Sequence, residues 1–377
     1  MNILIINCIL STAEKGVITR RKSIKDTMIC NYAMGFIANG HSVTILASEE
    51  FRPTEQEEYA FDVLFFKSRL PRIFKPHLIP WPVGMRRYIK ENVHKFDVVI
   101  TSEVFSIATL LAAGVCKDKL VIWQEMTGHQ RMLKQLPSKL WHNVVVRCFM
   151  RRALVVARSL RAMRFVKQYA KNVAEEIVDH GANGAVLYPS EHVEDAFIVV
   201  SRLVAGKRVD GIIARFAEFV KNPHYSHFLL NIVGDGDLSD SLKRVSKDLG
   251  VERNVIFHGF MSHSAMAEML RSSKAMLVNT EHDLNMVSIA ESIASGTPII
   301  TNTVPASVEF IAASGAGIVD DDWGAAELCD MADNYSRYHK ACIAVRDEVT
   351  NDGCATKMLR IYSQWKSAKQ KGCVNKN

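Results

Sequence analysis

Hydrophobic positions along this chain fall into two patterns. Short apolar runs such as Asn2-Ile3-Leu4-Ile5-Ile6-Asn7 alternate with longer segments in which apolar residues recur at helical spacing. The runs predict strands buried on both faces, the longer segments predict amphipathic helices, and their alternation predicts a parallel sheet covered on both sides. In the first half, strands are expected near 2–8, 42–47, 97–101, 119–123, 153–156 and 184–187. In the second they are expected near 196–200, 228–233, 254–257, 275–278, 298–301 and 316–319. The first helix should run from about Asp26 to Asn39 and stop at Gly40-His41-Ser42. Each half therefore reads as a complete doubly wound α/β domain, joined at Tyr188-Pro189-Ser190-Glu191-His192. The expected division is 1–190, 191–350, and a closing segment 351–377 whose end, from Lys366, should fray.

The length of 377 residues agrees with two domains. The net charge of +7 is unevenly spread: residues 1–190 hold 27 Lys and Arg against 16 Asp and Glu (27 − 16 = +11), and residues 191–377 hold 20 against 24 (20 − 24 = −4). One basic cluster comprises Arg147, Arg151, Arg152, Arg158, Arg161, Arg164, Lys167 and Lys171; another runs from Arg69 to Arg87. Both are interleaved with large apolar residues, which fits either solvated helix faces or attachment to an anionic membrane surface. No nucleic-acid reading motif accompanies the charge, so a nucleic-acid partner is not expected. Cysteines at 8, 30, 116, 148, 329, 342, 354 and 373 form no Cys-x-x-Cys pair. With an opening that reads as a buried strand rather than a secretory leader, this suggests reduced thiols and a cytoplasmic protein, with peripheral attachment to the inner membrane face as an option.

Candidate chemistry concentrates in the second half. No Gly-x-Gly-x-x-Gly follows the first strand and no Walker loop is present, so neither a nicotinamide nor a P-loop site is indicated. Instead, Arg202 and Lys207 sit in a loop after one expected strand, Gly234-Asp235-Gly236 after the next, and His258-Gly259-Phe260 after a third. Asp283-Leu284-Asn285-Met286-Val287 then leads into a helix carrying Glu291. Ligands of open α/β sheets bind beyond the carboxyl ends of the strands, where all four loops lie. Two cations there suit a diphosphate without a metal, glycines allow close backbone approach, and a carboxylate such as Glu291 can accept from two ribose hydroxyls.

These motifs resemble, in order and spacing from about Val199 to Asn302, the pattern of GT-B glycosyltransferases of family four, the glycosyl transferases group 1. That resemblance implies two Rossmann-like domains facing across a cleft, with a nucleoside-diphosphate sugar bound in the second and a glycan or lipid-linked acceptor in the first. It implies transfer with retention at the anomeric carbon, no metal and no cofactor. Carried over, Arg202 and Lys207 bind the diphosphate, Glu291 the ribose and Asp283 the sugar hydroxyls. Gly234, Gly259, Phe260, Asn285, Met286 and Val287 line the nucleotide. The closing helix with Trp365 is expected to return to the first domain.

The chain departs from the family where Glu-Gly-Phe-Gly becomes Asp283-Leu284-Asn285-Met286, and Glu281 is a second carboxylate that could contact the sugar. A histidine that the family often places after the strand Leu120–Gln124 aligns with Glu125, and His129 follows; both are acceptor-side candidates. Asp235-Gly236-Asp237 and Asp320-Asp321-Asp322 fit a metal-binding Asp-x-Asp triplet but read as turns. A surface-polysaccharide glycosyltransferase is the first reading; a nucleotide-sugar epimerase and a non-catalytic scaffold subunit of a polysaccharide assembly complex are the alternatives.

Overall fold

A computed structural model describes the chain except residues 12, 14–16, 26, 131–132, 180, 283–285 and 375–377, and the side chains of 133 and 372–374. It divides into two compact units, 1–181 with 351–377, and 182–350.

The first unit is a six-stranded parallel sheet of β1 (Asn2–Ile6), β2 (Ser42–Ser48), β3 (Asp62–Phe66), β4 (Val98–Ser102), β5 (Leu120–Gln124) and β6 (Leu154–Ala157), in the order β3-β2-β1-β4-β5-β6. This is the Rossmann order, whose switch point lies between β1 and β4. Strand β1 shows why the run is apolar throughout: Ile3 and Ile5 enter one core with the helix Met28–Ala38, while Leu4 and Ile6 enter the other with Met85, Ile89 and Val146. The helix Asn351–Val374 completes the first of these cores through Cys354, Met358 and Tyr362. Gly35 makes that packing possible, since a Cβ there would stand 2.1 Å from Asn351 O.

The second unit repeats the design with β7 (Ala196–Val200), β8 (Leu229–Val233), β9 (Val255–Gly259), β10 (Ala275–Val278), β11 (Ile299–Thr301) and β12 (Gly317–Val319), ordered β12-β11-β10-β7-β8-β9. Read from β7, this is the same order, with the switch point between β7 and β10. Phe197 and Val199 face one core and Ile198 the other.

Three expectations are corrected. Residues 184–187 form a turn, not a strand: Asn183 O accepts from both Val186 N and Leu187 N, and Leu187 is buried among residues of the second unit. Residues 182–190 thus pack with that unit, Arg271 lying 3.9 Å from the Tyr188 ring centroid and Arg346 Nη2 donating to Gly184 O and Leu187 O. The sixth strand of the first sheet is instead β3, a half-exposed edge strand whose Asp62 and short length hid it. The last helix also continues through Val374 rather than fraying from Lys366. Lys369 pairs with Asp118 and lies 4.7 Å from the Trp365 ring centroid, which pins that turn. No helix among the described residues is long and apolar enough to cross a membrane.

Candidate functional site

In the second unit, the loops after β7, β8 and β10 are bonded to one another at the carboxyl edge of the sheet. Ser201 N donates to Val233 O, Leu203 N to Asp235 O, and Leu238 N to Leu203 O. Gly234, at φ +130°, and Gly236 are glycines because a Cβ would stand 1.9 Å from Ser201 O and 2.5 Å from Leu203 O respectively. At both positions the missing side chain lets the two loops touch. Gly259 is different: at φ +65° it turns the chain with nothing within 4 Å of its Cβ position, and the next residue, Phe260, is 88% exposed.

The loop after β7 is held from the other side as well. Gly206 O accepts from Glu281 N and from Thr280 Oγ1, which ties the Ala205–Lys207 turn to the end of β10. Arg208, at φ +45°, begins the helix Val209–Val220 and reaches within 4.0 Å of Glu281 Oε1. A small cavity at the β7/β10 switch point is lined by Val200, Ser201, Lys207, Asn279, Thr280 and Met286. Ser201 Oγ and Asn279 Nδ2 are buried there without a hydrogen-bond partner among the described residues. Arg202 is exposed and, among the described residues, makes no ion pair.

Met286 is the N-cap of the helix Val287–Ala294, and no described side chain caps that end. Its first-turn amides thus make a positively polarised end. Glu291 lies on this helix with its side chain 14% exposed, and its Oε1 is 2.9 Å from His263 Nε2. Asp283 and Asn285 lie outside the described residues. Arg202, Lys207, Met286, Val287 and Glu291 therefore share one edge of the sheet with Gly259 and Phe260.

The Asp-x-Asp triplets are turn residues. Asp235 Oδ1 accepts from Gly236 N, Asp320 Oδ1 from Asp322 N, and Asp321 from the amide and hydroxyl of Thr303. Among the described residues no group of three or more His, Cys, Asp or Glu is placed to hold a metal ion.

The first unit separates the two acceptor-side candidates into different surroundings. Glu125 accepts from Arg158 Nη1 at 2.5 Å; that guanidinium is 2% exposed, lies 4.5 Å from the Trp123 ring centroid and comes within 3.9 Å of Asp179. Arg158, assigned on sequence to a basic surface cluster, is thus a buried ion-pair residue. Beside it, Glu103 sits at φ +66° just past β4, its Oε1 accepting from Glu125 N and Met126 N. Burial and the neighbouring Glu125 carboxylate push Glu103 up to about 7. His129 instead joins an aromatic cluster, with Nε2 3.1 Å from Tyr169 Oη, Nδ1 3.3 Å from Ser138 Oγ, and its ring 4.9 Å from that of His142. Burial lowers the proton affinity of both histidines.

Sequence reasoning missed Glu103, Arg158, His263 and Asn279. Each follows the carboxyl end of a strand, and that position was the available signal; which of them are buried or paired is set by contacts distant in sequence.

Residues 188–328 match the family model for glycosyl transferases group 1. Among curated proteins, the chain is 22% identical to the N-acetyl-alpha-D-glucosaminyl L-malate synthase of Bacillus anthracis over 86% of its own length and 75% of the relative's. It is 25% identical to an uncharacterized glycosyltransferase of Methanocaldococcus jannaschii, over 31% of its own length and only 30% of that relative's. Among solved structures, Anabaena HepE in complex with UDP superposes with a TM-score of 0.62 at 14% identity, covering 97% of this chain and 100% of that one. The last likeness is one of fold. Two Rossmann-ordered sheets give the chain the two-domain α/β fold of the GT-B structures it superposes on, and the family match across the loops described above identifies residues 188–328 as a glycosyl transferases group 1 domain.

Proposed function

We propose that the protein is a retaining, metal-independent glycosyltransferase that moves a sugar from a nucleoside diphosphate to a glycan or lipid-linked acceptor of a surface polysaccharide. The observation that carries the reading is the convergence of Arg202, Lys207, the N-terminal end of the helix Val287–Ala294 and Glu291 at the carboxyl edge of the second sheet, within the family-matched segment. Cations and helix amides stabilise the departing diphosphate, and one such donor contributes about 3–4 kcal/mol to the transition state. The bond from the anomeric carbon to the diphosphate breaks as the bond from the acceptor oxygen forms on the same face. The acceptor proton passes to a leaving phosphate oxygen, so no strong protein base is required.

Glu125 and His129 are assigned to the acceptor side in this reading, and Asp283 to the donor sugar. The relative from B. anthracis is named for L-malate, so a small hydroxy acid belongs beside glycans in an acceptor screen. Peripheral attachment to an anionic membrane is part of the proposal. From Val63 to Lys90 there are seven Lys and Arg and no carboxylate, and from Met126 to Ala174 there are eleven and none. Within these stretches Leu70, Ile73, Val83, Leu136, Leu140, Val144 and Phe149 are exposed. Met85 and Ile89 from one stretch and Val146 and Met150 from the other share a core on one side of the first sheet, so both stretches border that side.

The test is incubation with nucleotide sugars and candidate acceptors in EDTA, with the anomeric configuration of the product read by NMR. Retained configuration, with turnover lost in Glu291→Ala, supports the proposal. Epimerised donor without an acceptor supports the epimerase reading, and no turnover with any donor supports the scaffold reading.

A further inference from the structure

Glu291 and His263 come from different helices, and both helices are held in one core by buried apolar residues. Ile289 and Ile293 bury the helix Val287–Ala294 in the core, while the helix His263–Arg271 is capped by Ser262, whose side chain accepts from Ala265 N, and is buried through Met266, Ala267 and Leu270. The 2.9 Å contact between His263 Nε2 and Glu291 Oε1 therefore does little to hold the helices and much to select one carboxylate orientation. An ionised carboxylate only accepts, so the imidazole is the donor and occupies Oε1 on one side. The glutamate side chain is 14% exposed and the imidazole 38%, so the glutamate is the more buried of the pair and still reachable.

We infer that His263 is a positioning residue for ribose recognition: by holding Oε1 it presents Oε2 to a ribose hydroxyl, so that the site selects ribonucleoside over deoxyribonucleoside diphosphates. This rests on Glu291 being the ribose contact. A glutamate side chain fixed before binding loses less rotamer freedom when the ligand arrives, and that difference appears only for a ligand carrying the hydroxyl.

The experiment is calorimetric titration, in EDTA, of UDP, 2′-deoxy-UDP, GDP and 2′-deoxy-GDP into wild type, His263→Ala, His263→Gln and Glu291→Ala. Wild type should bind the ribo form of one base about tenfold more tightly than its deoxy form. In His263→Ala the ratio should fall to about twofold with deoxy affinity nearly unchanged, and His263→Gln, which can still donate, should recover most of it. Glu291→Ala should abolish the ratio. A merely structural contact would weaken both forms equally. If wild type discriminates and Glu291→Ala does not, but His263→Ala still does, the inference on His263 is overturned while the role of Glu291 stands. If wild type does not discriminate, or binds none of the four, the ribose reading of Glu291 fails and this inference with it. Should His263→Ala lose its fold, His263→Phe fills the space without donating and serves the same comparison.

Discussion

The missing side chain of Gly234 points at the carbonyl of Ser201: a Cβ there would lie 1.9 Å from that oxygen. The turn after β8 is therefore locked to the loop carrying Arg202 through bare backbone. Gly234→Ala must push the two apart and adopt φ +130° with a side chain, so it should destabilise the protein by about 2–4 kcal/mol. Gly259→Ala meets open space and carries only the left-handed backbone cost, about 1 kcal/mol. Urea midpoints of the two variants should differ in that order; equal midpoints would mean that the loops are not in contact.

Glu103 gives the first unit a pH dependence near neutrality. Its carboxyl is raised from 4.5 to about 7 in the folded chain, so the folded state holds the proton more tightly than the unfolded one. The stability this contributes is complete below about pH 4.5 and is lost as pH rises through 7. Glu103→Gln, which stays neutral and can still accept from the amides of Glu125 and Met126, should match wild type at pH 4 and exceed it by about 1–3 kcal/mol at pH 8. Urea denaturation at the two pH values checks this; an equal difference at both would contradict it.

Much of the second unit could be read directly from the chain. All six of its strands were expected where they lie, because each is an apolar run bounded by polar or glycine turns. Arg202, Lys207 and Glu291 were singled out by their place after strands and on the following helix. The first unit was less legible. The edge strand Asp62–Phe66 carries no full apolar run, and Ala185-Val186-Leu187 is apolar because it is buried as a turn. Arg158 could not be told from its exposed neighbours, since its burial depends on Trp123, Glu125 and Asp179, each more than twenty residues away in sequence.

The exposed row Leu136, Leu140, Val144 and Phe149 sits in a stretch without carboxylates, and this sets up a membrane prediction. Leu140→Glu with Val144→Glu removes apolar area and adds two negative charges on a surface away from the core. Wild type should sediment with vesicles containing anionic phosphatidylglycerol and much less with neutral phosphatidylcholine vesicles. The double variant should bind the anionic vesicles at least about tenfold more weakly while keeping its thermal midpoint. Equal sedimentation of both proteins would remove the membrane surface from the proposal.

The proposed function requires a metal-free site for a nucleoside diphosphate at the carboxyl edge of the second unit. Thermal denaturation of the whole protein in EDTA, with UDP, GDP, CDP, dTDP or NAD at a concentration far above the dissociation constant, tests it most directly. At about 100 times that constant, binding adds about 2.7 kcal/mol and should raise the midpoint by a few degrees. A rise is expected with one nucleoside diphosphate and none with NAD, and Arg202→Ala should lose it. No rise with any nucleoside diphosphate, or a rise that survives Arg202→Ala and Lys207→Ala together, would contradict the proposed function.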